Sequence, residues 1–336
     1  RLMFFGNLAQ DWSEFVLADL GIYRYESVGI SPESRGFRCR QDLEDYLRLR
    51  ELRIRFEEGE AVEAVLPPLL SFSSDNPYLN SRQSRQLFHI AQHLEKCGEL
   101  EQALTVYQRS EYTQARWRQI RVLEQLGRDA DAHEQALVFS AIPKSDEERQ
   151  RLERALTRLQ RKLGLPMAKR PKAVEASRIE LTLPTPGHGS VEVAVRDHFS
   201  TEQAPVHYVE NTLLCSLFGL LCWDAIFAPL PGAFFHPFHS GPVDLYSADF
   251  YARRQDIFDE CLARLQQPDY PQLILERYRE KVGIQSPFVF WTLLDEPLLE
   301  LALHCIPAQH LQACFARLLQ DVKANRAGMP DLIQFF

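Results

Sequence analysis

Between residues 81 and about 163, apolar positions recur at helical spacing and the breaks between runs are short. This stretch constrains the fold more than any other: it predicts helix following helix, each packed on its neighbour. Two of the breaks resemble one another. Lys96-Cys97-Gly98-Glu99-Leu100-Glu101-Gln102-Ala103-Leu104 parallels Gln125-Leu126-Gly127-Arg128-Asp129-Ala130-Asp131-Ala132. Gly98 and Gly127 lie 29 residues apart, and each is followed five positions on by a small residue, Ala103 or Ala132. A helix pair cannot bury its apolar face alone, so repeated pairs stack.

The spacing is close to the tetratricopeptide pattern, whose period is about 34 residues; a plain helical bundle is the alternative. On either side the pattern differs. Toward the start, Phe4-Phe5-Gly6-Asn7 reads as a strand end or turn, and Trp12, Phe15, Val16 and Leu20 recur at helical spacing. Residues 40–58 predict a helix with Leu43, Tyr46, Leu47 and Leu52 as its apolar positions. Past a linker at Leu165-Pro166 and Arg170-Pro171-Lys172, residues 177–183 (SRIELTL) and 190–195 (SVEVAV) alternate apolar and polar around Pro184-Thr185-Pro186-Gly187-His188-Gly189. That predicts a β-hairpin opening a new domain. Helices are expected over 208–228, 252–266, 271–282, 297–304 and 308–324, then a strand after Pro330-Asp331. The fold class is mainly α with a smaller α/β part. The expected domains are a mixed α/β N-terminal DNA-binding or connecting region at 1–75, a tetratricopeptide-like region at 76–172, and a third domain at 173–336.

The formal net charge of −8 argues against nucleic acid on its face. The distribution matters more. Residues 144–172 hold ten Lys or Arg against four Asp or Glu, and an acidic chain can still present a basic stripe to phosphates. Such a run is equally a solvated helix face. Seven scattered cysteines, with no C-x-x-C, fit buried thiols in a reducing compartment. Cys215 and Cys222, seven apart, share a face of a predicted helix. The longest apolar run, 213–221, is well short of a membrane span, so no membrane partner is expected.

The most informative segment is the tail, Asn325-Arg326-Ala327-Gly328-Met329-Pro330-Asp331-Leu332. Gly328 permits a sharp turn, and Pro330 fixes its own φ and biases Met329 toward extended backbone. Asp331 is thereby held at the mouth of a strand with little entropy to lose, which suits a ligand of a hard divalent cation. His236-Pro237-Phe238-His239 offers two imidazoles three apart, but the intervening proline argues against a helical metal pair. His188 reads as a turn residue.

The string Asn-Arg-x-Gly-x-Pro-Asp-Leu-(x)3-Phe closely resembles the VRR-NUC form of the PD-(D/E)xK nuclease motif. Other segments resemble the Fanconi-associated nuclease family in the same order. These are Val209-Glu210-Asn211 with 216–227 (SLFGLLCWDAIF), Pro242-Val243-Asp244-Leu245-Tyr246, Phe250-Tyr251-Ala252-Arg253-Arg254, and Arg116-Trp117 in the helical region. The resemblance covers most of the chain. It implies a SAP-type DNA-binding region, a tetratricopeptide-like region and a C-terminal nuclease domain, acting on 5′ flaps, and exonucleolytically from a 5′ end, in interstrand crosslink repair. Branched or flapped DNA would be the partner and Mg²⁺ or Mn²⁺ the cofactor. Glu210, expected on the first catalytic helix, and Asp331 would be the catalytic metal ligands. Arg116 would grip a 5′-terminal phosphate, with Arg118 and Arg121 as nearby candidates. Arg154, Arg158, Arg161 and Lys162 are further candidate DNA contacts, and Asp224 and Asp244 sit in matched segments with either a structural or a metal role.

The family's Glu-x-Lys is absent after Pro-Asp, and its SAP-type region is not recognisable. The resemblance therefore implies a truncated PD-(D/E)xK domain in a fragment that is itself inactive, from a parent that is a nuclease. The expected location follows the DNA: cytoplasmic and nucleoid-associated in a bacterium, nuclear in a eukaryote. A non-catalytic helical-repeat scaffold binding protein partners is the alternative.

Overall fold

The computed structural model describes residues 13–32, 34–166, 178–183 and 189–336, side chains being described from residue 16 onward. The expected turn at residues 4–7, the packing of Trp12 and Phe15, the turn at 184–188 with His188, and the linker at 170–172 lie outside these. The chain forms two compact units, one from residues 1–8 and 32–170, the other from 9–31 and 171–336.

In chain order the elements are α1 (Ser13–Asp19), α2 (Arg40–Glu57), α3 (Val62–Leu70), α4 (Pro77–Cys97), α5 (Leu100–Arg109), α6 (Ala115–Gln125), α7 (Asp129–Ala141), α8 (Asp146–Lys162) and α9 (Val191–Phe199). Then follow β1 (Val206–Tyr208), α10 (Thr212–Leu221), α11 (Trp223–Ile226), α12 (Gln255–Ala263), α13 (Tyr270–Lys281), α14 (Glu296–Cys305), α15 (Ala308–Gln320), α16 (Val322–Asn325) and β2 (Leu332–Gln334). No helix among the described residues is long and apolar enough to cross a membrane.

The first unit is the helical stretch. From α4 to α8 each helix packs against the next. The Asn76 side chain caps α4 by accepting from the Tyr78 amide, and Pro77 supplies a preset φ at the first turn. Gly98 and Gly127 close α4 and follow α6 at φ +86° and +73°, backbone that a side chain would strain. Two positions after each, the next helix begins, at Leu100 and at Asp129, so the two matched breaks do the same work. Ser145 caps α8 by accepting from the Glu148 amide.

Helices α2 and α3 belong to this unit. Leu49, Leu69, Leu79 and Tyr107 are all fully buried in one core, and the Gln86 amide donates to the Leu49 carbonyl at 2.9 Å. The expected separate mixed region at 1–75 is therefore divided: residues 40–70 join the helices and residues 9–31 join the second unit. On α2 the buried positions are Tyr46, Leu49 and Leu52, spaced three apart on one face, while Leu47 points outward at 41% exposure.

The second unit packs around Phe218. Its ring lies 4.9 Å from Phe288, 5.5 Å from Phe315 and 6.0 Å from Phe258. Residues 24–28 strap across this core. The Trp223 indole donates to Glu26 at 2.8 Å, Lys281 pairs with the same carboxylate at 2.9 Å, and Arg24 bridges to Ile284.

The predicted hairpin is overturned. Residues 191–199 form α9, and 178–183 have no regular structure. The valines alternate, but with no strand to pair with among the described residues, the segment satisfies its amides internally, as in the Ala194 amide donating to the Ser190 carbonyl. Glu192 in the first turn and Arg196 and His198 in the last complement the helix dipole. The actual two-stranded sheet pairs β1 with β2 antiparallel, Val206 opposite Gln334 and Tyr208 opposite Leu332. The strand after Pro-Asp was expected; its partner was not, Tyr208 being expected to open a helix.

Candidate active site

The β1–β2 ladder determines what meets what. Immediately past Tyr208 and immediately before Leu332, the two chains separate at the same end of the sheet. There the Asp331 carbonyl accepts from the Val209 amide at 2.8 Å and from the Glu210 amide at 3.2 Å. Asn211 then turns the chain at φ +59°, its side-chain oxygen accepts from the Met329 amide at 2.8 Å, and α10 begins at Thr212. Gly328, at φ +83°, turns the other chain into Pro330-Asp331. Glu210 and Asp331, 121 positions apart in sequence, thus become backbone neighbours, both exposed. Glu210 sits on the turn between β1 and α10, not on the helix as expected, because Val206–Tyr208 is claimed by the sheet.

The site is strongly anionic. The Tyr208 hydroxyl donates to the Glu210 carboxylate. That bond, with a smaller contribution from burial and from the charges of Glu210, Glu192 and Asp331, pushes the phenol up to about 12. Oxygen donors and accumulated negative charge are the chemistry that attracts a hard divalent cation. Among the described residues no group of three or more His, Cys, Asp or Glu side chains is disposed to hold a metal.

The other candidate carboxylates are engaged elsewhere. Asp224 makes a two-pronged ion pair with Arg277 at 2.5 and 2.7 Å, and that hydrogen bond holds its carboxyl below the usual range. Asp244 is gripped by Arg254 at 2.9 Å through both oxygens and is also contacted by Arg253. The rings of His236 and His239 stack face to face, 3.8 Å apart, a geometry that does not converge two nitrogens on one ion. Burial, with the neighbouring His236, pushes His239 down to about 4.

The arginines of α6 divide between two partners. Arg116 donates to the carbonyls of Ile142 and Phe139 at 3.1 and 3.0 Å, pairs with the buried Glu148 at 3.3 Å and lies over the Phe139 ring. It ties the end of α7 to the start of α8. Arg118 and Arg121 instead approach Glu95, at 3.4 and 3.6 Å, and Glu95 also accepts from the Tyr107 hydroxyl at 2.8 Å. Two guanidiniums share one carboxylate, which leaves a positive excess on that face. On α8, Arg154, Thr157, Arg158, Arg161 and Lys162 line an open cavity of about 620 Å³. Arg158 pairs with Glu124 at 2.7 and 2.9 Å and Lys162 with Asp129 at 2.7 Å. Arg154 and Arg161 make no ion pair among the described residues.

Sequence reasoning missed Tyr208, Asn211 and Glu95. Asn211 carried one signal, since asparagine is among the few residues other than glycine that tolerate left-handed backbone.

Residues 266–336 match the VRR-NUC domain, so Asp331 lies within the matched part and Glu210 before it. Over its full length the chain is 56% identical to the Fanconi-associated nuclease 1 homolog of Pseudomonas aeruginosa, of which it covers 60%. It is 32% identical to the Schizosaccharomyces pombe homolog over 42% of this chain and 20% of that protein. The crystal structure of paFAN1 bound to DNA with a two-nucleotide 5′ flap and a gap superposes with a TM-score of 0.88 at 56% identity, covering all of this chain and 62% of that one. A second paFAN1 structure, with a one-nucleotide flap, gives 0.85. The chain spans about 60% of the length of the bacterial relative it matches. With the Pro-Asp strand inside a VRR-NUC match and more than half of all positions identical from end to end, the chain belongs to the Fanconi-associated nuclease family.

Proposed function

We propose that this chain forms the flap-binding helical region and two of the acidic ligands of a metal-dependent, structure-specific DNA nuclease that cuts 5′ flaps in interstrand crosslink repair. The observation that carries the reading is the Asp331 carbonyl accepting from the Glu210 amide, which makes these two exposed acidic residues backbone neighbours. The flapped DNA in the paFAN1 structures supports the substrate class.

The donor set suits Mg²⁺ or Mn²⁺. Such ions are commonly held by one or two carboxylates plus substrate phosphate and retained water, without an all-protein cage. Bound there, the ion would supply charge stabilisation to the phosphate under attack and acidify its water. The chain's own residues do the rest. Glu210 and Asp331 hold the ion, and Tyr208 fixes the orientation of Glu210 through its hydroxyl. Arg118 and Arg121 offer the positive excess over Glu95 to a DNA phosphate, and Arg154 and Arg161 offer two further cations along α8. Arg116 serves a terminal phosphate by keeping the α7–α8 corner in place or by turning outward to it.

The test is cleavage of a 5′-phosphorylated flap by the protein carrying this chain, with and without Mn²⁺. Asp331→Ala is expected to abolish Mn²⁺-dependent cutting and to leave flap binding unchanged. Retained turnover in Asp331→Ala refutes the ligand role.

A further inference from the structure

We infer that Asn211 is a positioning residue that sets the spacing of Glu210 and Asp331, and so the affinity of the site for its divalent ion; the inference rests on the metal-site reading above. Three observations meet on this side chain. Asn211 is the only non-glycine residue with positive φ among the described residues. It directly follows Glu210 and completes the turn after β1 so that α10 can start at Thr212, whose amide donates to the Val209 carbonyl at 2.6 Å. Its side-chain oxygen accepts from the amide of Met329, 118 residues away in sequence.

The location of that last bond is what matters. Pro330 has no amide hydrogen. The Met329 N–H is therefore the last backbone donor before Asp331 through which the approaching chain can be anchored. Past Pro330, the Asp331 carbonyl is anchored by the amides of Val209 and Glu210. Asp331 is thus bracketed on its upstream side by the Asn211 side chain and on its downstream side by the Glu210 backbone. Both anchors belong to one turn of chain. Rotation or slippage of either segment changes the separation of the two carboxylates.

Asparagine meets both demands at once: it tolerates left-handed backbone, and it presents a neutral acceptor. Glycine would meet the backbone demand and lose the acceptor. Aspartate would keep an acceptor and tolerate the backbone. Residues that orient metal ligands from behind typically alter metal affinity by about 10–100-fold when removed.

The experiment titrates Mn²⁺ into the full chain by calorimetry, alongside thermal melting, for the parent, Asn211→Gly, Asn211→Asp and Asp331→Ala. Asn211→Gly is expected to melt within about 3 °C of the parent, a change of roughly 1 kcal/mol for a unit of this size, and to bind Mn²⁺ at least about tenfold more weakly. Asn211→Asp is expected to restore parental affinity or better. An Asn211→Gly variant that binds Mn²⁺ like the parent, or that fails to fold, overturns the inference; the second result would make Asn211 a residue of the fold and not of the site. If the parent shows no Mn²⁺ binding that Asp331→Ala removes, the metal-site reading itself fails.

Discussion

Asp244 lies in a segment that sequence similarity marks as important, and the structure assigns it to holding the fold. Its partner Arg254 is 1% exposed. The guanidinium donates to both Asp244 oxygens at 2.9 Å, lies 4.5 Å from the Phe250 ring centroid and donates to the Phe250 carbonyl at 3.4 Å. Asp244→Ala leaves this cation buried with its counter-charge gone. Removing one member of a buried pair costs about 3–5 kcal/mol. In a unit of this size each kcal/mol moves the midpoint by about 2–4 °C, so the shift is on the order of 10 °C. Trp223 and Trp291 report on the second unit and Trp117 on the first. Fluorescence-detected urea unfolding in a Trp117→Phe background therefore reads the affected unit. The double variant Asp244→Leu/Arg254→Met removes both charges and is expected to recover most of the loss, since replacing a buried pair by apolar residues is often near neutral. Mn²⁺ affinity of the folded protein is expected to stay unchanged. A loss below about 1 kcal/mol in Asp244→Ala, typical of an exposed pair, would refute the argument. Loss of Mn²⁺ affinity without destabilisation would make Asp244 a metal ligand.

Two further outcomes are expected. The double variant Arg154→Ala/Arg161→Ala should lower the slope of log affinity against log salt for flapped duplex by up to about 1.8, at roughly 0.9 per phosphate contact. Arg158→Ala should lower it by less than 0.9, because Glu124 already holds that cation; an unchanged slope in the double variant removes α8 from the DNA path. His239 is depressed to about 4 from an ordinary 6.5 by burial and by His236, so between those values the unfolded chain binds more protons than the folded one. The stability it contributes is present above pH 6.5 and is lost as pH falls through 4, amounting to about 3 kcal/mol. His239→Phe should flatten the stability of the second unit over that window in urea titrations, and an unflattened profile would contradict a buried neutral ring.

The helical region was legible because its signal is local. Periodicity, a proline at a helix start and a glycine after a helix all act within a few residues, and Gly98 and Gly127 do in the structure what their spacing suggested. Where the sequence reading failed, the deciding contact was distant. The valines at 191, 193 and 195 alternate as a strand does, but alternation cannot say whether a partner strand exists, and with none among the described residues the segment coils into α9. Conversely, Val206–Tyr208 carries too few residues to announce a strand. It becomes one because Leu332–Gln334 arrives beside it. Leu47 was misplaced for a smaller reason: a helix buries one face, and a leucine one step from Tyr46 is turned about 100° away from it.

The site shows the same division with a chemical consequence. Asp331 could be singled out from its own neighbours, since Gly328 and Pro330 restrict the backbone around it. Glu210 could not, because an exposed glutamate near a helix start has no local mark. Its relation to Asp331 is made by hydrogen bonds spanning more than 115 residues. Charge behaves likewise. Ten cations within residues 144–172 suggested a stripe for phosphates, yet Arg158 and Lys162 turn to Glu124 and Asp129 on neighbouring helices, and Arg116 turns to Glu148. What remains for a polyanion is set by the difference between cations and the carboxylates folded against them. A chain of net charge −8 can therefore offer a polyanion a positive face: Arg118 and Arg121 share a single Glu95, and Arg154 and Arg161 are left without an ion pair among the described residues.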